Sequence, residues 1–124
     1  MNKLRVAVIG CGRISNVYRE AFHALSDEIQ VVGAADKMLE RTQKSASEFP
    51  GCKPVETLEE LLAEKPDVVH VMTPHFLHHD HVVASLRAGC HVLTEKPVAI
   101  TTEDAADMIA EAKKSGRLFG VISQ

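Results

Sequence analysis

The chain has 124 residues, 45% of them hydrophobic and 25% charged, with a formal net charge of −3 at pH 7. That length suits one domain with a sizeable core, and the composition is that of an ordinary globular domain without repeats or low-complexity tracts. Mild acidity, with no Lys/Arg block and no aromatic stacking pattern, argues against a nucleic-acid partner, and no apolar run is long enough for a signal core or a membrane span, so a cytoplasmic protein is expected.

The opening run Leu4-Arg5-Val6-Ala7-Val8-Ile9 is apolar and rich in β-branched residues, which suits a strand buried on both faces of a parallel sheet. It breaks at Gly10-Cys11-Gly12-Arg13-Ile14 and resumes with helical spacing. Strand, glycine turn and helix form a phosphate-binding unit: Gly10 permits the turn, Gly12 lets a pyrophosphate approach the backbone, and the helix N-terminus offers free N–H groups to the anion. Ser15 stands where a third small residue is expected. Apolar positions from Arg13 to about Leu25 predict the first crossover helix. A second strand, Ile29 to Ala35, ends in Asp36, which lies 21 positions after Ser15. An acid at that spacing binds the adenosine ribose hydroxyls in the dinucleotide fingerprint.

Further on, a polar helix is expected over 38–49, stopped by Pro50-Gly51, then a short strand at Lys53-Val55. Thr57 and Glu60 form a capping box for a helix over 58–64, with the Glu60 carboxylate reaching back to the cap. Val68 to Met72 reads as the fourth strand, followed by Thr73-Pro74 and a helical run from His75 to Arg87 closed at Ala88-Gly89. His91-Val92-Leu93-Thr94 is the fifth strand and leads to Glu95-Lys96-Pro97. Thr101 or Thr102 caps a last helix ending at Gly116, and a sixth strand follows at 118–122. Alternating strands and helices require right-handed crossovers, so the fold class is α/β: a doubly wound parallel sheet, a three-layer Rossmann fold of strand order 3-2-1-4-5-6 spanning residues 1–124.

Ligands of such a sheet bind at the carboxyl ends of the strands. Three segments qualify: Gly10 to Ile14, Thr73-Pro74 and Glu95-Lys96-Pro97. Lys96 is the candidate for chemistry, able to hydrogen-bond a substrate or ribose hydroxyl and to assist proton transfer; the alternative is a surface lysine paired with Glu95. Pro97 fixes the backbone there, and a cis Lys96-Pro97 bond would aim the side chain. His75, His78, His79 and His81 crowd one helix, but no acid or cysteine partner has a zinc spacing, so no metal is expected and at most one of them faces the cleft. His70 and His91 read as packed or hydrogen-bonded within strands. Cys11, Cys52 and Cys90 are odd in number with no C-x-x-C spacing and read as reduced thiols, Cys11 as a small filler in the turn.

With these residues in place the chain resembles the N-terminal domain of the glucose-fructose oxidoreductase, inositol dehydrogenase and MocA (Gfo/Idh/MocA) family. The resemblance covers essentially all 124 residues and rests on Val8 to Gly12, Asp36, the Thr73-Pro74-x-x-x-His78 pattern and, most specifically, Ala88 to Pro97. It implies an NAD(P)-dependent oxidoreductase acting on a sugar, cyclitol or related hydroxyl compound. Lys96 then corresponds to the catalytic or substrate-orienting lysine, Glu95 and Pro97 to its supports, and Thr73, Pro74 and His78 to the nicotinamide-side wall. Asp36 suits the unphosphorylated ribose of NAD, while Lys37 and Arg41 leave NADP open. In this family a second α/β domain follows, with most substrate contacts, the partner of the proton relay and the homo-oligomer interface. It is absent from these 124 residues, so the chain is expected to bind a dinucleotide, to turn over substrate poorly or not at all, and to expose apolar surface near 97–100 and 119–122. A non-catalytic NAD(P)-binding or sensing module is the alternative, and an S-adenosylmethionine methyltransferase ranks behind because Glu95-Lys96-Pro97 has no task there.

Overall fold

The structure, a computed structural model, describes residues 3–11, 15–95 and 101–122, with backbone alone at 15–17 and 75. Six strands, β1 (Leu4–Ile9), β2 (Ile29–Ala35), β3 (Lys53–Val55), β4 (Val68–Val71), β5 (His91–Glu95) and β6 (Phe119–Ile122), alternate with helices α1 (Ser15–Ala24), α2 (Leu39–Ser47), α3 (Leu58–Leu62), α4 (His78–Arg87) and α5 (Thr102–Ser115). All pairings are parallel and the order is β3-β2-β1-β4-β5-β6, as the alternation of elements requires.

Period-2 alternation sends the two halves of each strand to different helical layers. Ala7, Ile9, Val69, Val71 and Val92 share a core with Leu61 of α3, Val82, Val83 and Leu86 of α4 and Met108 of α5. On the opposite face Val8, Ala34 and Met72 pack with Cys11, with Tyr18 and Phe22 of α1 and with Cys52. On that face α1 meets the end of α2 through Phe22 against Phe49, ring centroids 6.0 Å apart, and through Arg19 with Glu48 at 3.0 Å. At the β6 edge, where exposed apolar surface was expected over 119–122, Val121 is 40% exposed while Phe119 and Ile122 are half-buried, and Leu118 just before the strand is 76% exposed. Residues 97–100, the other part of that expectation, lie outside the described residues.

Some local details differ from the expectations. The run from His75 is not one α-helix: His75–Leu77 makes a 3₁₀ turn in which Leu77 N–H donates to the Pro74 carbonyl at 2.9 Å, and α4 starts at His78. A proline at its head favours this tight start. The Thr57 cap accepts from Glu60 N–H at 3.1 Å, but the expected return bond is replaced by the Thr57 hydroxyl donating to the Glu60 carboxylate. Thr101, not Thr102, caps α5, accepting from Asp104 N–H at 3.0 Å. The helix over 38–49 ends at Ser47 and that over 58–64 at Leu62.

Candidate functional site

The site begins where β1 meets its neighbours. Gly10 N–H donates to the Ala35 carbonyl at 2.8 Å and Met72 N–H to the Ile9 carbonyl at 2.7 Å, so β1, β2 and β4 end at one level. Gly10 has φ +95°, and a Cβ built on it would stand 2.5 Å from the Met72 carbonyl carbon and oxygen. Both the left-handed conformation and the contact with β4 demand glycine. Here the strand order reverses, with β2 on one side of β1 and β4 on the other, and the crevice this opens is where ligands of doubly wound sheets bind.

Asp36 follows the last residue of β2. Its Oδ2 accepts from Cys11 N–H at 2.7 Å and its Oδ1 from Met38 N–H at 2.8 Å, so the carboxylate ties the glycine turn to the start of α2. Each carboxylate oxygen can accept more than one hydrogen bond, so a ligand hydroxyl can join the backbone amides there. Cys11 is buried, its Sγ 3.5 Å from the Ala35 carbonyl, and burial pushes its thiol up to about 11, which makes it the filler expected rather than a nucleophile. The three cysteines are free thiols.

Thr73 is gripped from beneath by α4. His78, fully buried, has Nε2 2.7 Å from the Thr73 carbonyl oxygen, and His81 has Nδ1 2.9 Å from the Thr73 hydroxyl. Burial holds the His81 ring below the ordinary imidazole range, hence neutral at pH 7. His79 faces away, bridging to Asp107 of α5 at 2.7 Å and to Asp80 at 2.9 Å. The described residues contain no group of three or more His, Cys, Asp or Glu side chains able to hold a metal.

These groups line one cavity of about 770 Å³. Its wall includes Ile9 and Gly10 from the turn, Asp36, Lys37, Met38 and Arg41 after β2, Glu56 to Leu58 after β3, Met72 to Pro74, Phe76 to His78 and His81 after β4, and Glu95 at the end of β5. Of the residues expected at the site, Gly10, Asp36, Lys37, Thr73, Pro74, His78 and Glu95 are thus brought together, with Cys11 bonded to Asp36 behind them. Gly12, Arg13, Ile14, Lys96 and Pro97, and with them the Lys96–Pro97 bond, lie outside the described residues. Two histidines of the cluster, His78 and His81, reach the cavity, where at most one was expected. The sequence did not single out Met38, Phe76 or the loop after β3, whose common signal is their place in the segments that follow strands; His81, named only within the histidine cluster, reaches the wall from inside α4. The sequence reading also passed over Tyr18, whose hydroxyl donates to Glu95 Oε2 at 2.8 Å.

A glycine turn, a strand-end acid and a cavity over the switch point define a dinucleotide-binding domain of the doubly wound class. A family model described as "Oxidoreductase family, NAD-binding Rossmann fold" matches residues 4–123, and the chain belongs to that family, Gfo/Idh/MocA. It is 35% identical over 117 residues to the D-glucoside 3-dehydrogenase of Escherichia coli, covering 94% of this chain and 33% of that protein. It is 30% identical over 122 residues to the NADP-dependent scyllo-inositol 2-dehydrogenase IolW of Bacillus subtilis, covering 98% and 33%. Among solved structures, the WlbA dehydrogenase of Chromobacterium violaceum in complex with NADH and UDP-GlcNAcA superposes with a TM-score of 0.93 at 29% identity, over 98% of this chain and 35% of that one. The 3-ketoreductase KijD10 of Actinomadura kijaniata in complex with NADP gives 0.84 at 35% identity, over 97% and 38%. The chain therefore spans about a third of the length of the relatives it matches.

Proposed function

We propose that the cavity holds a nicotinamide dinucleotide across the strand ends, and that the protein of which this domain is part transfers hydride between NAD(P) and a sugar, cyclitol or related hydroxyl compound. The observation that carries this reading is the opening of Gly10, Asp36, Thr73 and Glu95 onto one cavity over the switch point. The left-handed turn at Gly10, which takes the chain sharply off β1 toward the phosphate-binding segment, and the strand-end carboxylate fit such a group, since one shapes the turn that receives a phosphate chain and the other accepts ribose hydroxyls.

In this reading Gly10 to Ile14 receive the pyrophosphate and Asp36 the adenosine ribose. Thr73, Pro74 and His78 wall the nicotinamide side, with Glu95 and Pro97 supporting Lys96. The bound nicotinamide supplies the hydride chemistry; Lys96, next in sequence to Glu95, serves as the catalytic group that orients the substrate hydroxyl and assists its proton. NAD is favoured because the Asp36 carboxylate repels a 2′-phosphate, while Lys37 and Arg41 on the same wall keep NADP admissible. The complete protein is read as a cytoplasmic homo-oligomer. Its relatives are about three times as long, so these 124 residues are expected to bind the dinucleotide without sustained turnover.

Parallel calorimetric titrations of NADH and NADPH test the reading. Saturable one-to-one binding with NADH tighter is expected; no binding of either overturns the cofactor site, and tighter NADPH overturns the NAD preference.

A further inference from the structure

His70 is the polar exception in the middle of β4. It lies on the sheet face covered by α1, is 3% exposed, and its Nε2 is the one buried side-chain nitrogen or oxygen among the described residues with no hydrogen-bond partner. Valine or leucine would fill such a core position at no polar cost, so an unmet imidazole nitrogen needs a reason. The nearest one is Glu95, whose Oε2 stands 3.5 Å away, just beyond a good hydrogen bond.

The same Oε2 accepts from the Tyr18 hydroxyl at 2.8 Å. The Tyr18 ring packs edge-on against His70, centroids 4.8 Å apart, and Phe22 closes the other side at 6.1 Å. Burial holds His70 below the ordinary imidazole range, and burial together with the adjoining Glu95 pushes the Tyr18 phenol up to about 12. Both are therefore neutral at pH 7 and both can donate, His70 in the tautomer with its proton on Nε2. Two neutral donors thus converge on one oxygen of a carboxylate whose residue lines the cavity at the end of β5.

We propose that Tyr18 and His70 are positioning residues that hold the Glu95 carboxylate ready to accept a hydroxyl from the ribose on the nicotinamide half of the dinucleotide. The inference rests on the proposed dinucleotide site. Asp36 ends β2 on one side of the switch point and Glu95 ends β5 on the other, so a ligand with its adenosine ribose at Asp36 directs its second nucleotide toward Glu95. A small movement of the carboxylate brings His70 into bonding range and completes the clamp. The clamp also joins α1, the helix that follows the glycine turn, to the strand that leads into Lys96.

Three ligands separate this role from simple support of the fold: ADP, which has no second ribose; ADP-ribose, which has one but no nicotinamide; and NADH. Tyr18→Phe and His70→Leu are expected to weaken ADP-ribose and NADH about tenfold in calorimetry while leaving ADP within about twofold. His70→Gln, which keeps an N–H donor, recovers most of the loss. Tyr18→Phe removes only a hydroxyl, so it keeps the test open if His70→Leu unfolds. Equal weakening of all three ligands, or unchanged ADP-ribose binding in Tyr18→Phe, overturns the proposal. If the wild-type chain binds none of the three, the dinucleotide site itself fails and this proposal falls with it.

Discussion

Gly10 and Asp36 carry the site between them, and each has a structural duty beside its proposed binding one. Gly10→Ala forces a Cβ against β4 backbone at positive φ, where no flexible side chain can yield. It should lower stability by about 2 kcal/mol or more in urea denaturation and abolish nucleotide binding, whereas Gly116→Ala, with open space around its Cβ, should cost only the conformational penalty of about 1 kcal/mol. Asp36→Ala removes the acceptor for two backbone amides as well as the proposed ribose contact. A drop of about 1–2 kcal/mol in stability and at least a tenfold loss of NADH affinity are expected. Asp36 was legible in the sequence by its spacing, but its bond to Cys11 N–H was not, because it depends on β1 and β2 ending at the same level. The histidine cluster misled for a related reason. Spacing along a helix tells which residues share a face, but it cannot tell that the Thr73 carbonyl and hydroxyl wait there for two imidazoles.

Among the elements, α4 and α5 form the layer that supports the β4 and β5 ends, and their contact has a pH-dependent part. Asp107 first and Asp80 second raise the His79 pKa above its ordinary value near 6.5. A group whose pKa is higher in the folded protein stabilises it fully below pH 6.5 and loses that contribution as pH rises through the folded value. Wild type should therefore lose up to about 1 kcal/mol relative to His79→Gln between mildly acidic and mildly alkaline pH, the pair being partly exposed and screened. Thermal melts of both proteins across that range check it, and parallel pH profiles would contradict it. Thr101→Ala should cost about 1 kcal/mol through the α5 cap in chemical denaturation, while Thr102→Ala should cost little. The existence and order of the elements were legible because each has a clear period and a clear stop. The 3₁₀ turn after Pro74 was not, since tight and ordinary helical starts share one hydrophobic pattern over three residues.

For the whole molecule, the alternation of strands and helices carried nearly everything: handed crossovers leave few closures, and the observed strand order is the one they favour. The cavity follows from that order, since loops diverge where the strand sequence reverses. What no local pattern reveals is the Tyr18, His70 and Glu95 cluster, made by residues from α1, β4 and β5 that meet only after the sheet is assembled. The central claim is that one dinucleotide spans this rim from Asp36 to Glu95. The most direct measurement is a crystal structure of the chain with NADH. It should place the adenosine ribose on Asp36, the pyrophosphate against Gly10 and the nicotinamide ribose beside Glu95; a dinucleotide bound away from the switch point, or lying in the reverse direction, would contradict the account.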